Sequence, residues 1–518
     1  MTTALEEKLQ KAVSITLSAG FQLDKEAFQF LNTLAPTEDP TELIRQIIKK
    51  LENTQNRPLF IARSHLEEAI NELSPKTAQE MLPMPPINET REIQESKKAF
   101  RPMAKDIQPE LTVIEDPTGK ICTTGSIEDY VEYFRDRFGK LQKLLKQRVD
   151  ARDASTIKNA FRNPPNSKVK IIGMVSEKRE VKNKLILRVE DPETSTNILV
   201  PQNAKPELME KARSILLDQV ICIACTKGRN NLLIAEDFIW PDAPQKTPQK
   251  ATSPVCAALI SDLHTGSKLF MREAFNRFVL WLNGKYGSEK LQELAGLVKY
   301  VVIAGDIVDG VGVYPNQAKE LAIKDVNKQY QAAARFVEQI PDYIEVVIIP
   351  GNHDAARKAL PQPAIPKDYA EALYESRKII SLGNPSRIGL HQVEFLVYHG
   401  RSLDDIVGFV PDITYDTPEK AMKLLVQCRH LAPMYGGKTP IAPERKDYLV
   451  IDKVPDVFHA GHVHVIKHDY YRGTLLVNSG AWQTQTDFMR RLGFVPIPGV
   501  APIVNLQSLQ VTPLNFVN

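Results

Sequence analysis

Five short segments of this 518-residue chain carry side chains that bind metals and move protons. They are Ser261-Asp262-Leu263-His264, Gly305-Asp306-Ile307-Val308-Asp309, Pro350-Gly351-Asn352-His353-Asp354, His399-Gly400 and His459-Ala460-Gly461-His462-Val463-His464. Imidazole, carboxylate and amide oxygen suit divalent manganese, iron or zinc, and the lack of thiolates in these segments argues against a structural zinc site. Asp262 and His264 are two residues apart, as are His462 and His464, so each pair shares a face of an extended segment. One carboxylate, best placed as Asp306, can bridge two ions. Two ions about 3.5–4 Å apart clamp the attacking and leaving oxygens of a phosphoryl displacement, and they lower the pKa of a bound water toward neutrality. A single His or Asp at a strand end is usually a core residue or a loop cap. Here nine of the ten histidines lie after residue 250, and the segments recur in one region. The chemistry expected is hydrolysis of a phosphate ester at a pair of divalent ions.

The elements that must position these residues are short apolar runs. Val255–Ile260, Tyr300–Ala304, Val346–Ile349, Val393–Tyr398 and Val457–Phe458 each lead into one of the five segments. Apolar runs alternating with helical patterns give an α/β domain over residues 255–518. In such sheets, sites gather beyond the carboxyl ends of the strands, so five strand ends can converge in one cleft.

Upstream the chain changes character several times. Residues 1–72 read as short helices, with Leu5, Leu9, Val13 and Leu17 at helical spacing and Leu43, Ile47 and Ile48 repeating the pattern. They form a small module for protein contacts. Residues 73–125 contain Pro83, Pro85, Pro86, Pro102 and Pro109 with few aromatics, which is the composition of a linker. Ser126 opens a strong helix with Asp129 three residues on, a variant of the capping box. Ile127, Tyr130, Val131, Phe134, Phe138, Leu141, Leu144 and Leu145 form its apolar stripe. Arg135, Arg137, Lys140, Lys143 and Lys146 lie largely off that stripe.

Strands are expected near Val169–Val175, Leu185–Val189, Asn197–Val200, Gln219–Thr226 and Leu232–Ile239, with a helix near Pro206–Leu217. Three strands, a helix and two strands is the order of an OB-fold barrel. Barrels of that kind bind single strands through aromatic platforms, but this one has only Phe238 and Trp240, both at its end. A structural or subunit-contact role is therefore favoured over autonomous nucleic-acid binding. Cys222 and Cys225 form a CxxC without a second pair, and residues i and i+3 of a strand face opposite ways, so they read as buried small residues. Residues 244–254 form a second linker.

Hydrophobic residues make up 43% of the chain, as in a globular protein with a full core. No apolar run is long enough to cross a membrane as a helix, and MTTALEEKLQ is unlike a signal peptide. A cytoplasmic location and no membrane partner are expected. Five scattered cysteines suggest no disulfide framework. The net charge of +3 conceals a basic stretch from Arg135 to Arg188, where sixteen Lys/Arg face five Asp/Glu. Such a stretch is compatible with a polyanion partner and equally with a solvated helix face.

The ordered set DLH, GDIVD, GNHD, YHG and GHVH resembles the calcineurin-like metallophosphoesterase superfamily. That resemblance implies one ion on Asp262, His264, Asp306 and His464, and another on Asp306, Asn352, His399 and His462. It implies that His353, oriented by Asp354, acts at the leaving oxygen, with Asp309 supporting the site. Gly310-Val311-Gly312-Val313-Tyr314-Pro315, Asn478-Ser479-Gly480-Ala481-Trp482-Gln483 and Tyr133-Phe134-Arg135-Asp136-Arg137-Phe138-Gly139-Lys140-Leu141 resemble the small-subunit family of archaeal family-D DNA polymerases.

The fold implied is multidomain: an α/β metallophosphoesterase, a β-sandwich flanked by helices, preceded by an OB-fold β-barrel and a helical module. The activity implied is 3′→5′ exonuclease proofreading with two divalent ions, manganese first and iron, zinc or magnesium next. The partners implied are a large catalytic polymerase subunit and a single-stranded DNA 3′ end, with sliding clamp and primase as further partners. Lys140, Lys143 and Lys146 are the candidate DNA or subunit contacts. A non-catalytic scaffold subunit and an independent phosphatase or phosphodiesterase are the alternatives.

Overall fold

Strand, helix and linker expectations meet different fates in the computed structural model, which describes residues 100–182 and 184–517 and scattered positions between 11 and 66. The chain divides into two units, Met1–Met81 and Leu82–Asn518. In the first, residues 11–16 are helical, and Ala12, Phe21, Ile44, Ile47, Ile61 and Leu66 share an apolar core. A parallel pairing of Gln22–Leu23 with Phe60–Ile61 adds to the helices expected there. Leu5, Leu9, Leu17 and Leu43 lie outside the described residues, as do Pro83, Pro85 and Pro86 of the expected first linker.

From residue 100 onward the linker expectation is corrected. Leu111–Glu115 (β1) is the edge strand of a sheet and pairs antiparallel with Ser386–Leu390. Lys299 Nζ donates to the Ala104 carbonyl at 3.0 Å, and the Tyr300 hydroxyl accepts from Glu110 N at 2.9 Å. The segment lacks a hydrophobic period of its own because its partners lie far along the chain. The stretch expected as a second linker is also pinned: Lys246 Nζ bonds Asp456 at 2.7 Å, and Ala251 is buried.

The helix Ile127–Lys146 (α1) starts as expected, with Ser126 Oγ accepting from Asp129 N at 3.2 Å. Beyond it, Lys168–Val181 (β2), Lys184–Glu190 (β3), Ser195–Val200 (β4), Val220–Lys227 (β5) and Leu233–Ile239 (β6) close a barrel in the order β2-β3-β4-β6-β5. The helix Pro206–Ser214 (α2) lies between β4 and β5. Cys225 faces the barrel core while Cys222 faces α1, as the strand period requires. Phe238 is buried in the barrel core and offers no outer platform.

The rest forms two more layers. One six-stranded sheet contains Cys256–Ile260 (β7), Val298–Ala304 (β8), Glu345–Ile349 (β9), Ile380–Ser381 (β10), Val500–Asn505 and Val511–Asn515. The other contains β1, Ser386–Leu390 (β11), Val393–Val397 (β12), Val457–Ala460 (β13), Lys467–Tyr471 (β14) and Thr474–Asn478 (β15). Alternation along the strands shows why they stack. Ala257, Leu259, Tyr300, Val302, Val347 and Ile349 face Phe395, Val397, Val457, Leu475 and Val477 across the sandwich. The intervening Ala258, Ile260, Val301, Ile303 and Ile348 face outward onto Phe275, Phe278, Tyr330 and Val337 of the helices Arg272–Leu282 (α3) and Val326–Val337 (α4). On the opposite outer face Leu396, Phe458 and Leu476 meet Leu425 and Met422 of the helix Pro418–Cys428 (α5). Strands buried on both faces read as continuous apolar runs. Among the described residues no helix is long and apolar enough to cross a membrane.

The position of α1 was not legible as a helix stripe alone. Tyr133 packs in the sandwich-side core, while Phe138, Leu141 and Leu145 pack with Ile172, Val220 and Cys222 of the barrel. Arg137 is fully buried between them, against its expected place off the stripe. Its Nε donates to Asp447 at 2.8 Å, its Nη1 to the Pro433 carbonyl at 2.7 Å, and its Nη2 to the Tyr133 hydroxyl at 2.5 Å. His430 donates to the same Asp447 oxygen at 2.8 Å. Lys140 Nζ bonds Asp136 and the Asp447 carbonyl, and Lys146 Nζ bonds the Ala154 carbonyl. Of the three candidate contacts, Lys143 alone is exposed with its ammonium group uncommitted to a neighbour among the described residues.

Arg137→Ala leaves the Asp447 carboxylate buried without its guanidinium partner and with the His430 ring as its remaining side-chain hydrogen-bond donor among the described residues. Loss of one member of a buried pair costs about 3–5 kcal/mol. Urea unfolding of this variant should show that loss, whereas Lys143→Ala should unfold within about 0.5 kcal/mol of the parent.

Candidate metal centre

The strands that lead into the chemical segments are parallel neighbours: β7, β8 and β9 in one sheet, β12 and β13 in the other. Parallel neighbours end at the same edge, so their loops leave the sandwich side by side. Asp262, His264 and His464 bring ligand atoms within 4.8 Å of one another, and so do Asp306, His399 and His462. A third set, His264, Asp306 and His353, joins the two. Asn352 Oδ1 lies 3.0 Å from His399 Nε2. All seven residues expected to hold metal therefore fall in one cluster.

The donor set fits a pair of cations. His264 Nε2 and His464 Nε2 face each other at 3.1 Å, and Asp262 Oδ1 lies 3.3 Å from the latter and 3.8 Å from the former. That oxygen is buried and lacks a hydrogen-bond partner among the described residues. Asp306 Oδ2 sits 3.4 Å from His399 Nε2, 3.8 Å from His264 Nε2 and 3.9 Å from His353 Nε2. One oxygen central to both sets of ligands is the position a bridging carboxylate takes.

Backbone conformation aims these groups. Asp262, His264, Asp306, His462 and His464 all adopt φ between 51° and 72°. Non-glycine residues avoid this left-handed region, and its cost is carried by the surrounding fold. The sandwich supplies that support through His264 N to Asp306 O at 3.0 Å and Asp262 N to Gly305 O at 2.9 Å. Gly351 is required for space, since a β-carbon there would collide with the Asp306 carboxylate.

Partners behind the cluster fix each ring. His264 Nδ1–H donates to Asp309 at 3.0 Å, and His399 Nδ1–H donates to the Ala304 carbonyl at 2.8 Å, so both present Nε2 inward. Asp309 also accepts from Gln317 Nε2 and Gln483 Nε2, each at 3.0 Å. Asp404 Oδ2 holds His462 Nε2 at 3.1 Å. Ser261 Oγ donates to Asp262 and meets Ser479 Oγ at 2.7 Å. Asp404, Gln317, Ser261 and Ser479 were not singled out as site residues. Ser479 and Gln483 lay within a stretch valued only for family likeness, and nothing in the sequence distinguished Asp404 from any loop aspartate.

The expected pairing of His353 with Asp354 is corrected. His353 Nδ1–H donates to the Asp309 carbonyl at 2.7 Å. The Asp354 carboxylate accepts from Gly351 N at 2.8 Å and Tyr330 Oη at 3.0 Å, and it holds the loop rather than the ring. Adjacent residues of a turn point apart, which the sequence order conceals. His459 is a core residue, bonded to Ser479 at 3.0 Å, and burial pushes its ring down to about 3.

Electrostatics follow the crowding. Burial opposes ionisation of Asp306, yet His399 and His353 hold it well below the usual carboxylate range. Burial likewise opposes charge on His399, but Asp306 lifts that ring to about 9. Burial dominates at His353 and lowers it to about 4, so this ring is neutral at neutral pH. His264, Asp306, Asn352, His353, His462 and His464 floor a cleft of about 580 Å³ whose walls include Tyr314, Lys358, Arg401, Tyr415, Lys438 and Phe488. A larger groove of about 1210 Å³ lies between barrel and sandwich, lined by residues of both charges. It contains none of the ligand clusters.

Asp306→Ala removes the group common to both ligand sets. Elemental analysis after reconstitution with manganese should find both ions lost from this variant. Asp404→Asn weakens the support of His462, a ligand in one of the two sets, and should lower affinity for one ion about 10–100-fold. A variant of Asp306 that retains two tightly held ions would show that this carboxylate is not the bridge.

The family of B-type subunits of DNA polymerases alpha and epsilon matches residues 257–466. The small subunit of DNA polymerase II from Archaeoglobus fulgidus is 37% identical over 485 residues, covering 93% of each chain. That of Methanothermobacter thermautotrophicus is 38% identical over 473 residues, covering 91% of this chain and 93% of its own. An archaeal phosphodiesterase of solved structure covers 50% of this chain and 99% of its own at 14% identity, with a TM-score of 0.25, too low to bear on activity. Sequence identity sustained over nearly the whole length, barrel and sandwich alike, decides the matter: the chain belongs to the family of small subunits of the archaeal family-D polymerase, DNA polymerase II.

Proposed function

We propose that this protein is the 3′→5′ exonuclease subunit of a replicative DNA polymerase, hydrolysing the terminal phosphodiester of a single strand with two divalent ions, manganese foremost. The observation that carries the reading is the pair of ligand sets sharing Asp306 at the floor of an open cleft. Asp262, His264, Asp306 and His464 would hold one ion, and Asp306, Asn352, His399 and His462 the other. Bound there, the ions supply an activated water and charge stabilisation for an in-line displacement.

The chain's own residues do the rest. His264 and His399 donate from their outward nitrogens to Asp309 and the Ala304 carbonyl, so an arriving ion has only the proton of the inner nitrogen to displace. His353 is held by the Asp309 carbonyl with Nε2 free toward the cleft. Burial keeps the ring neutral, and an anionic phosphodiester beside it raises its proton affinity. It can then share a proton with the departing 3′ oxygen. The role assigned to Asp354 is indirect, through the turn that presents Asn352 and His353.

In this reading the closed barrel is an OB-fold that serves subunit contact more than DNA, since Phe238 faces inward into its core. The partners are a large catalytic subunit, the DNA 3′ end and, in the wider replication assembly of the cytoplasm, the sliding clamp and primase. Lys143 is the surviving candidate for such a contact.

Incubation of the purified chain, alone and with its large subunit, with a 5′-labelled single strand and manganese tests the proposal. Stepwise shortening from the 3′ end, abolished by chelator and by Asp306→Ala, is the expected result. His353→Ala should keep both ions and lose about 10²–10⁴-fold in rate. No shortening in either form of the parent protein would leave the scaffold reading. Preference for a small phosphate monoester over DNA would favour an independent phosphatase.

A further inference from the structure

The cleft over the ligand cluster has aromatic walls that the hydrolytic chemistry does not need. Tyr314 and Phe488 are stacked, with ring centroids 5.5 Å apart and planes 29° apart. Tyr415 and Phe494 are stacked at 4.8 Å and 25°. Phe488 and Phe494 come from one strap, the short helix Asp487–Leu492 and the turn after it.

Each stack is tied to a different part of the cluster. The Tyr314 ring lies 6.0 Å from the His353 ring. Its hydroxyl donates to Glu320 at 2.6 Å, and Glu320 in turn accepts from Asp487 N at 3.0 Å, which fastens the strap to the same loop. On the other side the Tyr415 hydroxyl donates to Asp404 Oδ1 at 3.2 Å, while Asp404 Oδ2 holds His462. Phe488 remains 44% exposed despite its stack. Lys358, Arg401 and Lys438 line the same cleft.

Cations interleaved with open aromatic faces are the surface that takes single-stranded nucleic acid, phosphates on the charges and bases on the rings. An apolar protein segment has no use for the three cations. A small phosphate ester has no use for the rings. We infer that Phe488 and Tyr314 form a stacking platform for the base of an unpaired nucleotide whose phosphodiester lies over the Asp306 cluster. Tyr415 and Phe494 bound the cleft on the side of His462. The nature of the bond cut rests on the exonuclease reading above; the platform itself is a matter of binding. Phe488 and Tyr314 are positioning residues, because they touch the base and not the reacting phosphorus.

The test uses the full chain with manganese and a single strand carrying 2-aminopurine as its 3′-terminal base, protected by terminal phosphorothioate linkages. Stacking on the platform should quench the fluorescence. Phe488→Ala should lose the quench and weaken binding about tenfold, within the range of a single base–aromatic stack. Phe488→Trp should restore both. Uptake of manganese, read by elemental analysis, should be the same in all three proteins, since Phe488 is not among the clustered ligand residues. Unchanged quench and affinity in Phe488→Ala overturn the proposal. So does loss of manganese together with DNA binding, which marks a structural role, and so does loss of large-subunit association with DNA binding intact. If the parent chain quenches the probe but never shortens an unprotected strand, the platform stands and the exonuclease reading falls. If the parent shortens DNA and Phe488→Ala does so with the same KM, the platform falls alone.

Discussion

Asp306 is a buried carboxylate with three imidazole rings gathered around one of its oxygens. An anion inside a protein is tolerated only with compensating charge and hydrogen bonds. Its other oxygen accepts from His353 N at 2.8 Å, so the loop that presents His353 is fastened to the same group. The left-handed backbone at Asp306, the missing β-carbon at Gly351 and the parallel run of β7, β8 and β9 all make room for this one side chain. Its partners come from both sheets, since His399 follows β12 and His264 follows β7. The sandwich must therefore close before the cluster exists.

A second buried charge plays the corresponding role for the architecture of the Leu82–Asn518 unit. Arg137 joins α1 to Asp447, His430 and Tyr133 at the seam between barrel and sandwich. One face of α1 packs against β2 and β5, and another sets its Tyr133 and Phe134 rings against Tyr435. Further bonds cross the seam, from Gln219 Nε2 to Cys428 Sγ at 3.0 Å and from Tyr435 N to Asp218 at 2.8 Å. Barrel and sandwich are thus one packed body, in contrast to the pair of linked domains that the composition suggested. The ligand cluster is fixed relative to the barrel, which is the arrangement a subunit needs if one surface holds a partner and another meets a strand end.

Beside the cluster, polar support and aromatic walls are built from the same loops. Asp404 orients His462 with one oxygen and anchors Tyr415 with the other. Asp309 orients His264 by its side chain and His353 by its carbonyl, while Gln317 and Gln483 hold Asp309. Such sharing leaves few independent parts. It also explains why segments beyond the five chemical ones, notably Asn478–Gln483, keep polar residues at buried positions.

The sequence by itself determined the strand and helix order of the barrel, the apolar runs of the sandwich and the five segments that meet in the cluster, because each follows from local periodicity or from residue type at a strand end; the choice of seven ligands within those segments came from the family resemblance. Strand alternation also settled Cys222 and Cys225 correctly as opposed, buried side chains. What it did not determine were the relations that depend on distant partners. The segment from residue 100 to 125 looked like linker because β1 completes a sheet whose neighbour is β11. Arg137 looked solvated because its carboxylate lies three hundred residues on, roughly the length of the rest of the fold. His353 was paired with the adjacent Asp354, but a turn sends adjacent side chains apart, and the ring found the Asp309 carbonyl instead. Local pattern fixes which groups are available. Only closure of the two sheets, which brings five loops to one edge, decides which of them touch.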